Sequence, residues 1–488
     1  MAALIVDLRL ISWVLGAFLA ALAASMLIPV GYALAAGPAQ LAGLVDALLL
    51  TLLAATALLG LGYRRQRREL RQREAIMLVV LIWLAICLFG ALPLRFSPYY
   101  PTLTDAFFEA ASGFTTTGAT VLTDVDGLPR ALHLWRCLSH WLGGMGIVLL
   151  GLAILPLLGQ GGMGLYRAEF SGSAAERLRP RIVETARALW RIYVLLTLAE
   201  FLCLMAAGMD AFEALCHAFS TLGTGGFSTR TASIAAFDSP LIEYIVIVFM
   251  LLAGMSFIQH FRLWVERKPL TVWRDYELRA YLVLAAAASV LIAASLILQD
   301  GVSWEPAVRA ALFQATSIIT TTGFITADYA AWQPLPQLIL LLLMFVGGCT
   351  GSTAGGMKVA RAVLTLRVVE REFRRIAEPQ GVFRIRLGGT AIPEVTVSAL
   401  LNLVFLAWLV LLAASLILAA TGVDVLTALS AVVACQFNIG PGLAGVGPLE
   451  NYGGLSPVAK WTLSFCMIAG RLEFYALLIL FTRSFWRR

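Results

Sequence analysis

Four short stretches of this chain end in glycine in the same way. Residues 115–119 read Thr-Thr-Thr-Gly-Ala, 223–227 Gly-Thr-Gly-Gly-Phe, 320–324 Thr-Thr-Thr-Gly-Phe and 437–441 Phe-Asn-Ile-Gly-Pro. Aligned on Gly118, Gly226, Gly323 and Gly440, each has Thr or Asn two residues earlier: Thr116, Thr224, Thr321 and Asn438. Successive glycines lie 108, 97 and 117 residues apart, so one long unit occurs four times. Solenoid units are shorter, typically ~20–50 residues. The spacing predicts four pseudo-equivalent modules around one axis.

The medium around those modules follows from composition. The chain has 488 residues, 60% hydrophobic and 13% charged. Soluble domains carry about 25% charged residues, so this composition predicts an integral membrane protein. The net charge of +7 does not point to nucleic acid, because the basic residues alternate with apolar runs. Cys87, Cys137, Cys203, Cys216, Cys349, Cys435 and Cys466 stand singly in apolar segments and read as small core residues rather than disulfide or zinc ligands. The first apolar run exceeds a signal-peptide core and leads straight into a second one, so no cleaved leader is expected.

A crossing helix needs ~20 mostly apolar residues. Residues 10–36 and 41–63 meet this as an N-terminal hairpin, followed by six arginines within residues 64–73. Under the positive-inside rule that run is a cytoplasmic loop, which places both termini inside. Each module then reads as span, short segment, glycine turn and span. The expected spans are 75–94, 132–158, 189–207, 241–264, 281–298, one from 335, 396–420 and 455–485, ten in all with the hairpin. The segments at 103–113, 210–221, after Pro306 and at 424–435 are too short to cross and should re-enter. Asp210, Asp424 and Pro306 suit the first turns of these segments. Expected inner loops hold Arg167, Arg177, Arg262, Arg267, Lys268 and the long basic run from Lys358 to Arg386. The predicted fold is thus all-α: a hairpin with its loop (1–73) and four membrane–pore-loop–membrane modules around a central pore (74–187, 188–278, 279–392 and 393–488).

Non-helical backbone inside a bilayer is tolerated only when buried in protein or lining water. Four such turns should therefore face one another around an aqueous axis. A dehydrated alkali cation needs a shell of oxygens, which backbone carbonyls and hydroxyls supply. The helix C-termini also favour a cation. The candidate cation site comprises Thr116, Thr117, Gly118, Thr224, Gly225, Gly226, Thr321, Thr322, Gly323, Asn438, Ile439 and Gly440. The turns contain no acidic residue, so a divalent-ion site fits less well.

Residues 347–356 hold five glycines, enough to break the apolar span they interrupt about halfway along. The break should lie below the third turn, as a candidate gate. Arg471, in the last span, needs a protein or aqueous partner. Glu473 is two residues away and faces elsewhere on a helix, whereas the carbonyls freed at 347–356 can accept its donors. Other motifs carry less. Gly159, Gly161 and Gly164 match a dinucleotide pattern but follow a membrane helix rather than a strand. Residues 351–358 resemble a phosphate loop, but Met357 and Val359 spoil it. His133, His140, His217 and His260 fit packing or single hydrogen bonds. No catalytic constellation occurs, which argues against an enzyme, and no organic cofactor is expected.

Taken together, the chain resembles the Trk/Ktr/HKT superfamily of potassium transporters, most closely the bacterial Trk uptake subunits. The resemblance rests on the four turns, Trp-Leu-Gly-Gly-Met-Gly at 141–146, Gly-Gly-Cys-Thr-Gly-Ser-Thr-Ala-Gly-Gly-Met-Lys at 347–358, Asn-Ile-Gly-Pro-Gly at 438–442 and Gly-Arg-Leu-Glu at 470–473. It implies a homodimer in the inner membrane with one pore per protomer, transported potassium, and a separate cytosolic nucleotide-binding regulatory subunit. It also implies a gating loop at Gly347, Gly348, Thr350, Gly351, Ser352, Gly355, Gly356 and Lys358, facing Arg471. Glycine at all four filter positions goes with potassium preference in this family. The competing expectation is a sodium- or proton-coupled potassium symporter, which would more naturally show midplane carboxylates and an inverted repeat.

Overall fold

The computed structural model describes residues 6–36, 41–63, 70–154 and 179–486. The described chain is all-helical apart from one antiparallel pair of two-residue strands, Arg386–Leu387 with Thr390–Ala391. The arginine run at 64–69, the glycines 159, 161 and 164, and Arg167 and Arg177 fall outside the described residues.

Among the described residues, six helices are long and apolar enough to cross a membrane, including Leu8–Ala36, Leu41–Leu61, Tyr276–Leu298 and Glu394–Ala420. The first two pack along each other at close range: a Cβ on Gly16 would come within 2.8 Å of the Leu59 backbone. Two expected spans are corrected. The 241–264 run divides into Pro240–Gly254 and Phe257–Trp264, bent by 99°; the 455–485 run divides after Pro457–Arg471, bent by 113°. The second break has a local cause. Glu473 takes φ 55°, and the amides of Glu473 and Phe474 turn back to Gly470 (3.1 Å) and Ala469 (2.8 Å). Of the other two expected spans, Arg130–Ile154 is one helix of 25 residues and Pro334–Val346 has only 13.

The 347–356 break is also placed differently from expectation. It does not divide one apolar span in half. The helix that follows, Val359–Ala377, carries Arg361, Arg367, Arg371, Arg374 and Arg375. Cys203 is exposed, while the other six cysteines are buried. An apolar segment whose outer face meets an apolar medium gives no assurance that a small residue points into protein.

The four short helices are Leu103–Phe114, Ala211–Gly223, Trp304–Ile319 and Val425–Gln436. Local chemistry starts them. Thr102, Asp210 and Asp424 each accept a first-turn amide, the N-cap bond that satisfies one of a helix's free donors. The third helix begins at Trp304, before Pro306, which lies in the first turn where its missing N–H costs nothing. Each helix then runs into the protein with its C-terminal half buried.

Candidate functional site

All four short helices end in the same two-bond cap. In the first, the Thr117 amide donates to the Ser112 carbonyl (2.8 Å) and the Thr116 amide to Gly113 (3.0 Å). The second pairs Gly225 with Ser220 (2.9 Å) and Thr224 with Thr221 (2.9 Å). The third pairs Thr322 with Ser317 (2.8 Å) and Thr321 with Ile318 (3.0 Å). The fourth pairs Ile439 with Ala434 (2.8 Å) and Asn438 with Cys435 (3.3 Å). This is a Schellman cap, whose turning residue adopts left-handed backbone and is usually glycine. Here the turning residues are Thr116, Thr224, Thr321 and Asn438, at φ 54–58°. For a non-glycine residue that backbone costs ~1–2 kcal/mol. Two residues on, Gly118, Gly226, Gly323 and Gly440 take φ 82°, 80°, 80° and 101°.

The turns meet in a closed cycle. A Cβ on Gly118 would overlap the carbonyl oxygen of Gly225, one on Gly226 that of Thr322, and one on Gly323 that of Ile439. One on Gly440 would come within 2.6 Å of the Thr117 oxygen, which returns to the first turn. Each glycine therefore abuts the carbonyl that immediately precedes the next glycine. Asn438 Nδ2 donates to Thr117 Oγ1 (2.9 Å), joining the fourth turn to the first across 321 residues of chain. Within the first and third turns, hydroxyl pairs brace the backbone: Thr115 with Thr117 and Thr320 with Thr322, both at 2.7 Å. All four glycines line one cavity of about 90 Å³, together with Arg136, Arg230, Glu450 and Tyr452. Close to this mouth, Asp126 is held below the usual carboxylate range by a hydrogen bond with Thr231, reinforced by the nearby Arg230.

Residues 347–358 pack on the other side of these turns. The Gly355 amide donates to Thr321 Oγ1 (2.6 Å) and the Gly356 amide to the Phe437 carbonyl (2.9 Å). Gly347, Gly351 and Gly356 lie at φ 74–75° and Lys358 at 73°. The rest of the stretch is bonded to separate elements: Thr350 N to Glu277 Oε1 (2.6 Å), Thr353 Oγ1 to the Ala253 carbonyl (3.2 Å) and Cys349 N to the Gly254 carbonyl (2.9 Å). Lys358 Nζ donates to the Ala354 carbonyl, and Ser352 Oγ to that of Cys349 (2.5 Å). Arg471 is buried and donates from Nη1 to the Thr353 carbonyl (2.9 Å) and from Nη2 to that of Gly143 (3.4 Å). Glu473 pairs instead with Arg361 (2.8 Å).

The structure thus brings the twelve candidate cation-site residues into one ring and sets the Gly348-to-Gly356 stretch and Arg471 beside it. Sequence reasoning missed the residues behind the ring. Glu109 and Arg136 form a buried ion pair at 2.8 Å, and the Arg136 guanidinium lies 4.1 Å from the Phe227 ring centroid. Tyr452 donates its hydroxyl to the Gly440 carbonyl (2.7 Å). The available signal was a buried-type charge inside an otherwise apolar short helix. Two of the histidines make packing hydrogen bonds, His140 with Ser220 Oγ of the second short helix (2.8 Å) and His260 with the Leu252 carbonyl (2.8 Å).

Residues 46–488 match the profile of the TrkH family, described as a cation transport protein. The Trk system potassium uptake protein TrkH of Salmonella typhimurium is 44% identical over 429 residues, which covers 87% of this chain and 88% of the relative. TrkH of Halomonas elongata is 42% identical across 99% of this chain and 100% of the relative. The crystal structure of the potassium transporter TrkH from Vibrio parahaemolyticus aligns with a TM-score of 0.90 at 38% identity, covering 98% of this chain and 99% of that one.

Proposed function

Because this chain belongs to the TrkH family of cation transport proteins, we propose that it is the potassium-conducting, multi-pass subunit of a bacterial inner-membrane uptake system. The family is one of membrane transporters, not enzymes. The observation that carries the reading is the closed ring of four identically capped turns. Each contributes backbone carbonyls, and three contribute threonine hydroxyls, to a short cage that replaces the hydration shell of a potassium ion. The four helix C-termini ending there add a negative potential. Four modules of the boundaries given above, with both termini cytoplasmic, arrange these turns around the conduction path.

Residues 347–358 form the gate on this reading. Arg471 holds the loop through the Thr353 carbonyl and places a positive charge that repels a passing cation. A cytosolic regulatory subunit docks on the basic surface of Val359–Ala377 and the strand pair, where Arg367, Arg371, Arg374, Arg384 and Arg386 line a cavity of about 520 Å³. The working unit is a homodimer with one pore in each protomer. The deciding experiment is electrical: purified protein in a planar bilayer under a potassium gradient. A reversal potential at the potassium Nernst value supports passive conduction. A reversal that moves with the sodium or proton gradient establishes coupled transport in its place.

A further inference from the structure

Each turn is followed by a segment that leads away from the ring, and in every module one buried polar side chain of the short helix grips that segment. In the first, Glu109, nine residues before Gly118, accepts from Thr120 Oγ1 (2.9 Å) and the Val121 amide (3.0 Å). In the second, His217, nine before Gly226, bonds Ser228 Oγ through Nε2 (2.9 Å). In the third, Gln314, nine before Gly323, donates to Thr326 Oγ1 (3.3 Å). In the fourth, position 431 is alanine and the task moves one residue earlier: Ser430 Oγ donates to the Leu443 carbonyl (3.0 Å) and accepts from the Leu443 amide (3.1 Å). The gripped residues stand two or three places after the glycine throughout. All four gripping side chains are buried. Four unlike side chains making one connection is what a shared geometric requirement produces, since a packing need alone would be met by apolar residues.

We infer that Glu109, His217, Gln314 and Ser430 are positioning residues that set the spacing of the carbonyl ring, and so determine selectivity among cations of different radius. The inference rests on the reading of the ring as the selectivity element. The geometry gives the reason. Each turn is anchored at its start by the helix cap, and a second anchor just after the glycine fixes the carbonyls between two points. The first module's anchor is the stiffest, because Arg136 Nε and Nη2 hold the Glu109 carboxylate from behind at 2.9 and 2.8 Å.

Removing Glu109 itself strands a buried Arg136 charge and threatens folding, so the cleaner variants act on the far end. Thr120→Val and Ser430→Ala each delete gripping hydrogen bonds without stranding a charge, and Thr120→Ser keeps the hydroxyl. Potassium-to-sodium permeability and maximal potassium flux are measured in proteoliposomes, with Gly323→Ser alongside. Expected is a roughly three- to tenfold loss of selectivity for Thr120→Val and Ser430→Ala, the scale of one hydrogen bond. Maximal flux stays within about twofold, and Thr120→Ser behaves as the parent. Parental selectivity in Thr120→Val and Ser430→Ala, with Gly323→Ser impaired, overturns the anchor role and leaves the ring standing. Parental selectivity in all variants overturns the reading of the ring itself. Reduced flux at unchanged selectivity assigns these residues to folding alone and also overturns the proposal.

Discussion

Gly118, Gly226, Gly323 and Gly440 in the ring and Gly347, Gly351 and Gly356 beside it all take positive φ, 80–101° against 74–75°. Their bonding differs. Every ring turn is closed by amides returning to carbonyls of its own helix, five and three residues back. The 347–358 stretch has mostly borrowed partners: Gly254, Ala253, Glu277, Thr321, Phe437 and Arg471, from several separate elements. Local bonds do not depend on where the neighbours sit, whereas each borrowed bond depends on the position of another element. Similar glycine content thus builds a locally bonded ring in one place and, in the other, a loop held by its neighbours, as the proposed gate requires.

The sharpest way to break that contrast is to add a side chain to the ring. Gly323→Ser puts a Cβ onto the Ile439 carbonyl at a φ that side chains resist, and Gly118→Ser does the same against Gly225. Potassium-over-sodium selectivity in proteoliposomes should fall at least about tenfold, a differential binding change of only ~1.4 kcal/mol. Unchanged ratios in both folded variants would remove these glycines from the ion path. The loop should respond in the opposite sense. Arg471→Ala deletes the bond to Thr353, and potassium flux of the protein alone, at matched membrane expression, should rise about threefold to tenfold, a shift of roughly 1 kcal/mol in the balance of closed and open forms. Flux equal to or below the parent in folded protein rules out the latch. The smallest effect is a control on the ring side. Asp424→Ala removes the hydrogen bond from the Thr427 amide that starts the fourth short helix, which should lower the melting temperature slightly while selectivity stays parental. A selectivity change there would mean that the ring is less self-contained than its bonds suggest.

What was legible in the chain was whatever local covalent spacing controls. The four glycines, the Thr or Asn two places earlier, and the capping aspartates Asp210 and Asp424 all act within one helical turn, so their letters predict their geometry. The left-handed backbone at Thr116, Thr224, Thr321 and Asn438 was not legible, because it runs against the preference of those residues. The chain does use glycine for the same cap at Gly208, φ 96°, where the helix ends away from the ring. At the ring the extra cost returns hydroxyl and amide groups instead: Thr321 Oγ1 receives the Gly355 amide, and Asn438 reaches Thr117. Those partners lie 34 and 321 residues away, so no periodicity reveals them. The breaks after Gly254 and Arg471 escaped because hydropathy runs straight across both. The first is held by bonds from the 347–358 stretch, far away in the chain, and the second by a left-handed turn at Glu473, a residue whose letter does not announce that backbone.

The bend after Gly254 ties this helix to the loop beside it. In a straight helix the Gly254 carbonyl would accept the amide of Ile258, four residues on. It accepts Cys349 N instead, and the Gly351 carbonyl in turn receives Phe257 N at 3.0 Å. A straight helix would bring a second amide to the Gly254 oxygen and would withdraw the Phe257 amide from the loop. The bend of this helix and the seat of the loop are thus built from the same pair of hydrogen bonds.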